Sequence, residues 1–279
     1  MSRFKDQAVC IRHIDWSETS QVVALFTREH GKVRGLAKGS KRTSPSAVAK
    51  FSGGIELLTR GEVIATTKPT SDLAAITEWD LQEPFHHLRT DLSAWKLGMY
   101  AADLVGALTA DHDPHPVTFE AMVGFLEAVG SRLRLSASGA VGSDRAQVAV
   151  QAALLRFQWD VLSDCGFKPE LRVDVRSGEV LEEKEITKGA GQLSFDARAG
   201  GVTREAVESV AAGRVNSAGP WRVRKETVAL LRSLEESRAM PGEADAESLT
   251  RANRLLCVYV RAIVDRELPT MGFVMNGER

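Results

Sequence analysis

The stretch QVVALFTREHGKVRGLAKGSKR, residues 21–42, contains two segments rich in β-branched and alternating residues, separated by a His-Gly turn. This pattern predicts two neighbouring strands, at residues 21–27 and 32–38. Further strands are predicted at residues 8–14, 54–60 and 73–79, with residues 62–67 as a possible addition. Short strands at roughly ten-residue spacing are typical of a small barrel or sandwich. The Gly-, Ser-, Pro- and Lys-containing segment GSKRTSPSAVAK that follows is predicted to be a mobile loop.

After Glu83-Pro84 the hydrophobic pattern changes to the period of a helix. Apolar residues three or four apart form three long stripes: Leu88, Leu92, Trp95, Met99 and Ala102; Val148, Ala152, Leu155, Trp159 and Leu162; Leu249, Ala252, Leu256, Val260 and Ile263. A shorter helix is predicted at residues 119–129. We therefore predict an α+β chain, with a β-barrel domain at residues 1–82 and a helical domain at residues 83–279. Glycines and alternation predict a small β-rich insertion at about residues 172–205.

Composition is that of a globular protein with a substantial core, since 43% of the 279 residues are hydrophobic and the formal net charge is -1. The three cysteines, Cys10, Cys165 and Cys257, are far apart and odd in number, so we expect buried thiols and no disulfide framework. No apolar run approaches the roughly 18 residues of a membrane span, and the start lacks a secretory apolar region. We expect a cytoplasmic protein.

Positive charge is concentrated near the start of the chain. Residues 28–50 contain seven Lys or Arg and one acid, a local net charge of +6. In a strand over residues 32–38, Lys32, Arg34 and Lys38 share one face, and Val33, Gly35 and Ala37 share the other. A basic face on a small barrel suits single-stranded nucleic acid, and a merely solvated surface explains the same pattern. Gly35 is expected to be required by the barrel interior and Gly39 by the loop backbone.

Sequence motifs of enzymes are missing from the chain. GLAKGSK has the letters of a phosphate loop in the wrong order, and no H-E-x-x-H, G-x-S-x-G or G-x-G-x-x-G occurs. DHDPH, residues 111–115, carries possible metal ligands, but its prolines favour a solvated loop between helices. His86 and His87 are adjacent on a helix and face different ways, so a shared ligand is not expected. We predict a protein that is not an enzyme.

A longer motif around the basic segment resembles the N-terminal signature of the bacterial RecO family. SETSQVVALFTREHGKVRGLAKGSKR, residues 17–42, has that family's order, spacing and glycines, and DVLSDCGFKPEL and YVRAIVDRELPTMGFV are similar to later landmarks. The resemblance implies an OB-fold followed by a helical domain, and binding and annealing of single- and double-stranded DNA. It also implies RecR and the single-stranded DNA-binding protein as partners, with RecA loading as the outcome. The DNA-binding residues we predict are Arg28, Lys32, Arg34, Lys38, Lys41 and Arg42.

The chain departs from the family at a zinc knuckle. Many members carry four cysteines there, and the matching positions here are Asp174, Ser177, Arg204 and Val207, the last two approximately. These residue types cannot form a tetrahedral thiolate site, so we predict no structural zinc and no other cofactor. The fold of the insertion must then depend on its own packing.

The helix over residues 249–263 offers a second, weaker hypothesis. The acidic tail of the single-stranded DNA-binding protein ends in Phe, and it needs an apolar slot beside a cation. Arg254, Leu256, Val260 and Arg261 are the candidate residues, and the alternative is that the apolar stripe is core.

Two other functions compete with a recombination mediator. A scaffold whose OB-like domain binds a protein has no DNA activity. A nucleic-acid hydrolase needs clustered metal-ligand carboxylates, which the sequence does not contain.

Overall fold

A computed structural model describes residues 2–137, 142–187, 193–204, 220–237 and 244–275. The chain divides by its internal contacts into two compact units, Met1–Arg134 and Leu135–Arg279. The boundary predicted from the sequence, between residues 82 and 83, instead marks where strands give way to helices along the chain. Within the described residues, no helix combines the length and apolar character needed to cross a bilayer.

The first unit contains a closed five-stranded barrel. Its strands are β1 (Ser2–Ser17), β2 (Ser20–Thr27), β3 (Gly31–Ala37), β4 (Arg60–Lys68) and β5 (Ser71–Glu83), and helix α1 (Pro45–Phe51) separates β3 from β4. The strand order around the barrel is β1-β2-β3-β5-β4. β3 pairs with β5 in parallel, and the other pairs are antiparallel. This is the arrangement of an OB-fold, as predicted.

The barrel interior is filled by apolar side chains that range from alanines to Trp79, with Phe51 of α1 and Ile55 packed among those of the strands. Gly35 faces inward, as expected, because a Cβ atom there would lie 2.5 Å from the side chain of Ile76 and 3.0 Å from the backbone oxygen of Ala74. Cys10 also faces the interior, and burial raises the pKa of its thiol to about 12. Cys10 is therefore a small core residue, as expected, and so is the buried Cys257.

Two predictions for the first unit are wrong. The strand predicted at residues 54–60 is absent except for Arg60, which begins β4, because Gly53 and Gly54 take φ values of 88° and 131° and Leu58 takes 55°, which breaks the extended backbone. The apolar side chains that suggested a strand are buried individually, since Ile55 and Leu58 are both 0% exposed. The possible strand at residues 62–67 is β4, and the predicted loop after β3 contains α1.

Three helices follow β5: α2 (His86–Thr90), α3 (Leu92–Leu108) and α4 (Pro116–Ala137), which belongs to the first unit up to Arg134. The apolar stripe that begins at Leu88 is divided by Asp91, whose backbone is extended and whose carboxylate accepts a hydrogen bond from the Ala94 N–H at 2.9 Å. α3 packs against β1, with Gly106 close to Ile11. The helix predicted at residues 119–129 lies inside the longer α4.

The second unit contains α5 (Ser143–Asp164), α6 (Glu183–Thr187), α7 (Lys225–Glu236), α8 (Ala246–Val264) and α9 (Gly272–Met275). A small sheet has the order β7-β6-β8, with β6 at Leu193–Asp196, β7 at Gly201–Thr203 and β8 at Trp221–Val223. α8 packs against α5, α7 and α9. The predicted insertion thus holds two of these strands and also the short helix α6.

Candidate nucleic-acid interface

β3 separates charged from apolar side chains as predicted. Val33 and Ala37 are buried in the barrel, whereas Arg34 is exposed and Lys38 is exposed directly after the strand. Alternate positions on a strand point to opposite sides, so the cations of β3 lie on the outer surface of the barrel.

Lys32 is tied into the protein more tightly than its neighbours. Its Nζ donates hydrogen bonds to the backbone oxygens of Gly106 and Thr109, both at 2.8 Å, and lies 3.4 Å from Asp111 Oδ1. Its side chain is only 16% exposed. An ammonium group has three N–H donors, and all three have partners within reach here. Lys32 therefore holds the end of α3 against the barrel.

The DHDPH segment lies between α3 and α4, where the sequence predicted an interhelical loop. Asp111 Oδ2 accepts a hydrogen bond from Arg34 Nε at 2.9 Å, and the His112 N–H donates to the Lys32 backbone oxygen at 3.0 Å. The loop is thus attached to β3, and its acid neutralises part of the outer basic face. No cluster of three metal-ligating side chains is present among the residues described.

Arg28 lies in the turn after β2 and is engaged by two acids. Its Nε donates to Glu120 at 2.7 Å and its Nη1 to Glu29 at 2.8 Å, and these contacts raise the pKa of the guanidinium. The side chain remains 45% exposed. Exposed ion pairs contribute little to stability, so Arg28 can exchange its partners for a phosphate.

The turn after β3 is fixed to the barrel by its backbone. Gly39, with φ 76°, donates its N–H to Ser20 Oγ at 3.1 Å, and the buried Ser40 hydroxyl donates to Gln21 Oε1 at 2.9 Å. The Lys41 N–H donates to the Thr19 oxygen at 3.1 Å. Gln21 also bonds to the backbone of Ile55, which links the turn to the barrel end. The basic segment therefore begins as an anchored turn instead of the mobile loop that we predicted.

This anchored turn, residues 38–42, presents three cations. Lys41 Nζ contacts Asp15 Oδ2 at 2.7 Å, and that contact lowers the pKa of Asp15. Lys38 and Arg42 are exposed, and in the described part of the chain neither forms an ion pair. These two are the predicted DNA-binding residues whose charge is not compensated locally.

The sequence analysis missed a group on β1. Arg12, Ile14 and Trp16 are exposed, with Ile14 at 60% and Trp16 at 70%. Part of the signal was present, since Arg12 and Ile14 are two apart and so share one face of an extended strand, whereas Trp16 lies at an irregularity of β1.

In the second unit, carboxylates hold the insertion together, and one of them is Asp174, at a position that the sequence analysis matched to a zinc ligand. Asp174 Oδ1 accepts hydrogen bonds from the N–H groups of Arg176 and Ser177 at 2.9 and 3.2 Å, and its Oδ2 accepts one from the Arg204 N–H at 2.7 Å. Burial alone would raise the pKa of Asp174, but these hydrogen bonds outweigh it and lower the pKa. The carboxylate thereby joins the two halves of the insertion.

A second turn repeats this geometry. The segments DVRSG, residues 174–178, and DARAG, residues 196–200, both begin with Asp and end with a glycine at positive φ. Asp196 accepts the N–H groups of Arg198 and Ala199 at 3.0 and 3.1 Å, and Arg176 Nη2 binds its Oδ2 at 2.6 Å.

The positions that match the zinc ligands do not fit a zinc ion. The oxygens of Asp174 already accept three N–H groups, and the Arg204 guanidinium pairs with Glu185 and Glu179 at 3.0 and 2.9 Å. A guanidinium cannot ligate a cation, and no thiolate stands at either position. Val207 lies outside the described residues.

The residues proposed as a peptide slot lie on α8. Leu256 and Val260 are both 0% exposed, because α8 packs on its neighbouring helices along this stripe. Arg254 is exposed and Arg261 is half-buried. The structure therefore offers no open apolar side chain at positions 256 and 260, in agreement with the core alternative.

The geometry of the first unit defines a class of protein. A closed barrel with this strand order and an exposed basic turn is an OB-fold, a class that includes binders of oligonucleotides and oligosaccharides. The sequence model described as "Recombination protein O N terminal" matches residues 1–85.

Named relatives extend this match along the chain. A DNA repair protein RecO of Anaeromyxobacter sp. (strain K) is 31% identical over 201 residues, which cover 72% of this chain and 69% of the relative. The DNA repair protein RecO of Myxococcus xanthus (strain DK1622) is 27% identical over 98% of both chains. That of Salinibacter ruber is 35% identical over 119 residues, which cover 43% of this chain and 44% of the relative. The chain belongs to the RecO family of DNA repair and recombination proteins.

Proposed function

We propose that this chain binds single- and double-stranded DNA through the outer basic surface of its barrel and acts as a recombination mediator. The observation that carries the proposal is the anchored turn, where Lys38 and Arg42 are exposed without an acidic partner in the described residues. Each cation that contacts a phosphate releases a condensed counterion, which makes such binding favourable and dependent on salt.

The predicted residues divide into two roles under this proposal. Lys38 and Arg42 contact phosphates first, and Lys41, Arg34 and Arg28 join when DNA displaces their carboxylate partners. Lys32 acts as a positioning residue, since its N–H donors are occupied by two carbonyls and Asp111. Phosphate contacts carry no base identity, so binding is expected to be independent of sequence.

The wider role rests on membership of the RecO family. We infer that the protein anneals complementary strands and loads RecA on DNA coated by the single-stranded DNA-binding protein, with RecR as partner, in the RecFOR pathway. Its place would be the cytoplasmic nucleoid, and its action involves no bond breaking and no metal cofactor. Since Leu256 and Val260 are buried, we do not assign the tail of the coating protein to them.

A fluorescence anisotropy titration with labelled single-stranded DNA tests this function. We expect the logarithm of affinity to fall linearly with the logarithm of salt concentration, with a slope of about -0.7 for each phosphate contact. Annealing of two complementary oligonucleotides should accelerate at the same protein concentrations. A folded protein that binds neither DNA form at low salt would favour the protein-binding scaffold. Cleavage of DNA with added divalent metal would favour a hydrolase.

A further inference from the structure

The outer face of β1, β2 and β3 has an uncovered apolar patch. The strand register places Arg12, Ala24 and Arg34 in one cross-strand row and Ile14, Val22 and Leu36 in the next. Val22 and Leu36 are half-buried, whereas Ile14 is 60% exposed and Trp16, two residues further along β1, is 70% exposed. We call Ile14, Trp16, Val22 and Leu36 the β1–β3 patch.

Helix α3 covers the part of β1 that precedes this patch. Val9 and Ile11 are 0% and 8% exposed, because α3 packs on this part of the strand. The β1–β2 register shifts between Cys10 and Arg12. Beyond that bulge, β1 is no longer covered by α3. A second shift, between Asp15 and Ser17, leaves Trp16 without a residue opposite it on β2. The indole is therefore presented next to the turn that joins β1 to β2.

Cations surround this patch. Arg12 and Arg34 lie in the adjacent row, and the exposed Lys38 is the first residue after β3, two positions from Leu36. The nearby acids are Asp15, which is paired with Lys41, Asp111, which is paired with Arg34, and the exposed Glu18 in the hairpin turn. An exposed indole among cations matches a ligand that combines flat aromatic groups with regular negative charge. Single-stranded nucleic acid has both properties.

We propose that Trp16, supported by Ile14, is a stacking platform for an unpaired base of single-stranded DNA, with Arg12 and Lys38 binding the flanking phosphates. This inference rests on the proposed DNA-binding function and adds a base contact to it. A base in a duplex is stacked on its neighbours, so Trp16 favours single-stranded over double-stranded DNA.

Trp16→Ala tests the platform with three ligands of equal length: oligo(dT), a strand of abasic deoxyribose phosphates, and a duplex. We expect the variant to lose oligo(dT) affinity about five-fold or more, because stacking of one base on an aromatic side chain contributes at that level. Affinity for the abasic strand should change much less. Trp16→Phe should retain most of the preference for oligo(dT). Leu92→Ala removes another exposed apolar side chain of the same unit, 67% exposed, and should leave all affinities unchanged.

Intrinsic fluorescence provides a readout that a structural role would not give. Of the five tryptophans, Trp79 and Trp159 are buried and Trp95 and Trp221 are half-buried, so Trp16 is the exposed one. Oligo(dT) should quench the emission of the parent, and the quenching should be absent in Trp16→Phe.

The outcomes separate the two proposals. If the parent binds no DNA, the DNA-binding function itself fails. If the parent binds with the expected salt dependence, but Trp16→Ala binds oligo(dT) equally well or loses affinity for the abasic strand to the same degree, the stacking platform is refuted.

Discussion

The anchored turn of the barrel and the Asp turn at residues 174–178 of the insertion both carry cations and a glycine at positive φ, yet their cations have different partners. In the insertion, Arg176 of this turn binds Asp196, and Arg204, whose N–H binds Asp174, pairs with Glu185 and Glu179. In the anchored turn, Lys38 and Arg42 have no such partner within the described residues. A cation serves the fold when carboxylates face it, and it remains available for a phosphate when none does.

Removal of the Asp174 carboxylate is expected to have the largest effect. Asp174→Ala leaves three N–H groups without their acceptor in a residue that is 2% exposed, and should lower the free energy of unfolding by about 3 kcal/mol. Urea denaturation followed by tryptophan fluorescence measures the change. Glu182→Ala, at an exposed position of the same insertion, is the control. DNA affinity at low urea should be unchanged, and equal stability of Asp174→Ala and the parent would contradict the role of this carboxylate.

Acid should weaken the insertion through the same groups. The folded-state pKa values of Asp174 and Asp196 are lowered below the ordinary 3.8, so protons bind more tightly to the unfolded chain. The stabilisation is therefore complete above about pH 4 and disappears as pH falls through the lowered values. Urea midpoints measured from pH 7 to pH 3 should show this decline in the parent. Asp174→Asn should show a smaller decline, and parallel curves for the two proteins would disprove the assignment.

Two glycine variants, one in the anchored turn and one in an Asp turn of the insertion, should have the smallest effect on stability. Their effects on DNA binding should distinguish the two turns. Gly39 and Gly178 have φ values of 76° and 75°, so Ala at either position should cost about 1 kcal/mol of stability. A Cβ atom at Gly39 would lie 3.4 Å from Arg42 Cδ, whereas none of the described atoms is within 4 Å at Gly178. Backbone strain at Gly39 acts on the turn that carries Lys38 and Arg42, so Gly39→Ala should also weaken DNA binding, and Gly178→Ala should not. Equal effects on DNA affinity, measured by anisotropy, would remove the distinction.

The sequence predicted strands and helices correctly where a single hydrophobic periodicity determined the local structure. Alternation identified β2 and β3, and helical spacing identified α5 and α8. Residues 54–60 were mistaken for a strand because a buried apolar run has the same composition whether its backbone is extended or turned. The positive φ at Leu58 depends on its burial, which the local sequence does not encode.

The site was less predictable because its electrostatics depend on distant residues. Asp111 lies 77 positions from Arg34, and Glu120 lies 92 positions from Arg28. The local charge of +6 counted neither acid. Asp174 was recognised only as a missing cysteine, because its N–H donor from Arg204 is 30 positions away. Trp16 was overlooked because its exposure depends on how much of β1 is covered by α3, which the sequence around Trp16 does not show.

The central claim is that the uncompensated cations of the anchored turn bind DNA. The most direct test compares Lys38→Ala/Arg42→Ala with Arg222→Ala/Arg254→Ala, which removes two exposed cations of the second unit, by anisotropy titration with single-stranded DNA at several salt concentrations. The first variant should bind more weakly at low salt. Its slope of log affinity against log salt should flatten by about 1.4, because each cation that binds a phosphate of a single strand supplies about 0.7 of that slope. The second variant should match the parent. Equal slopes for the parent and Lys38→Ala/Arg42→Ala would contradict the claim.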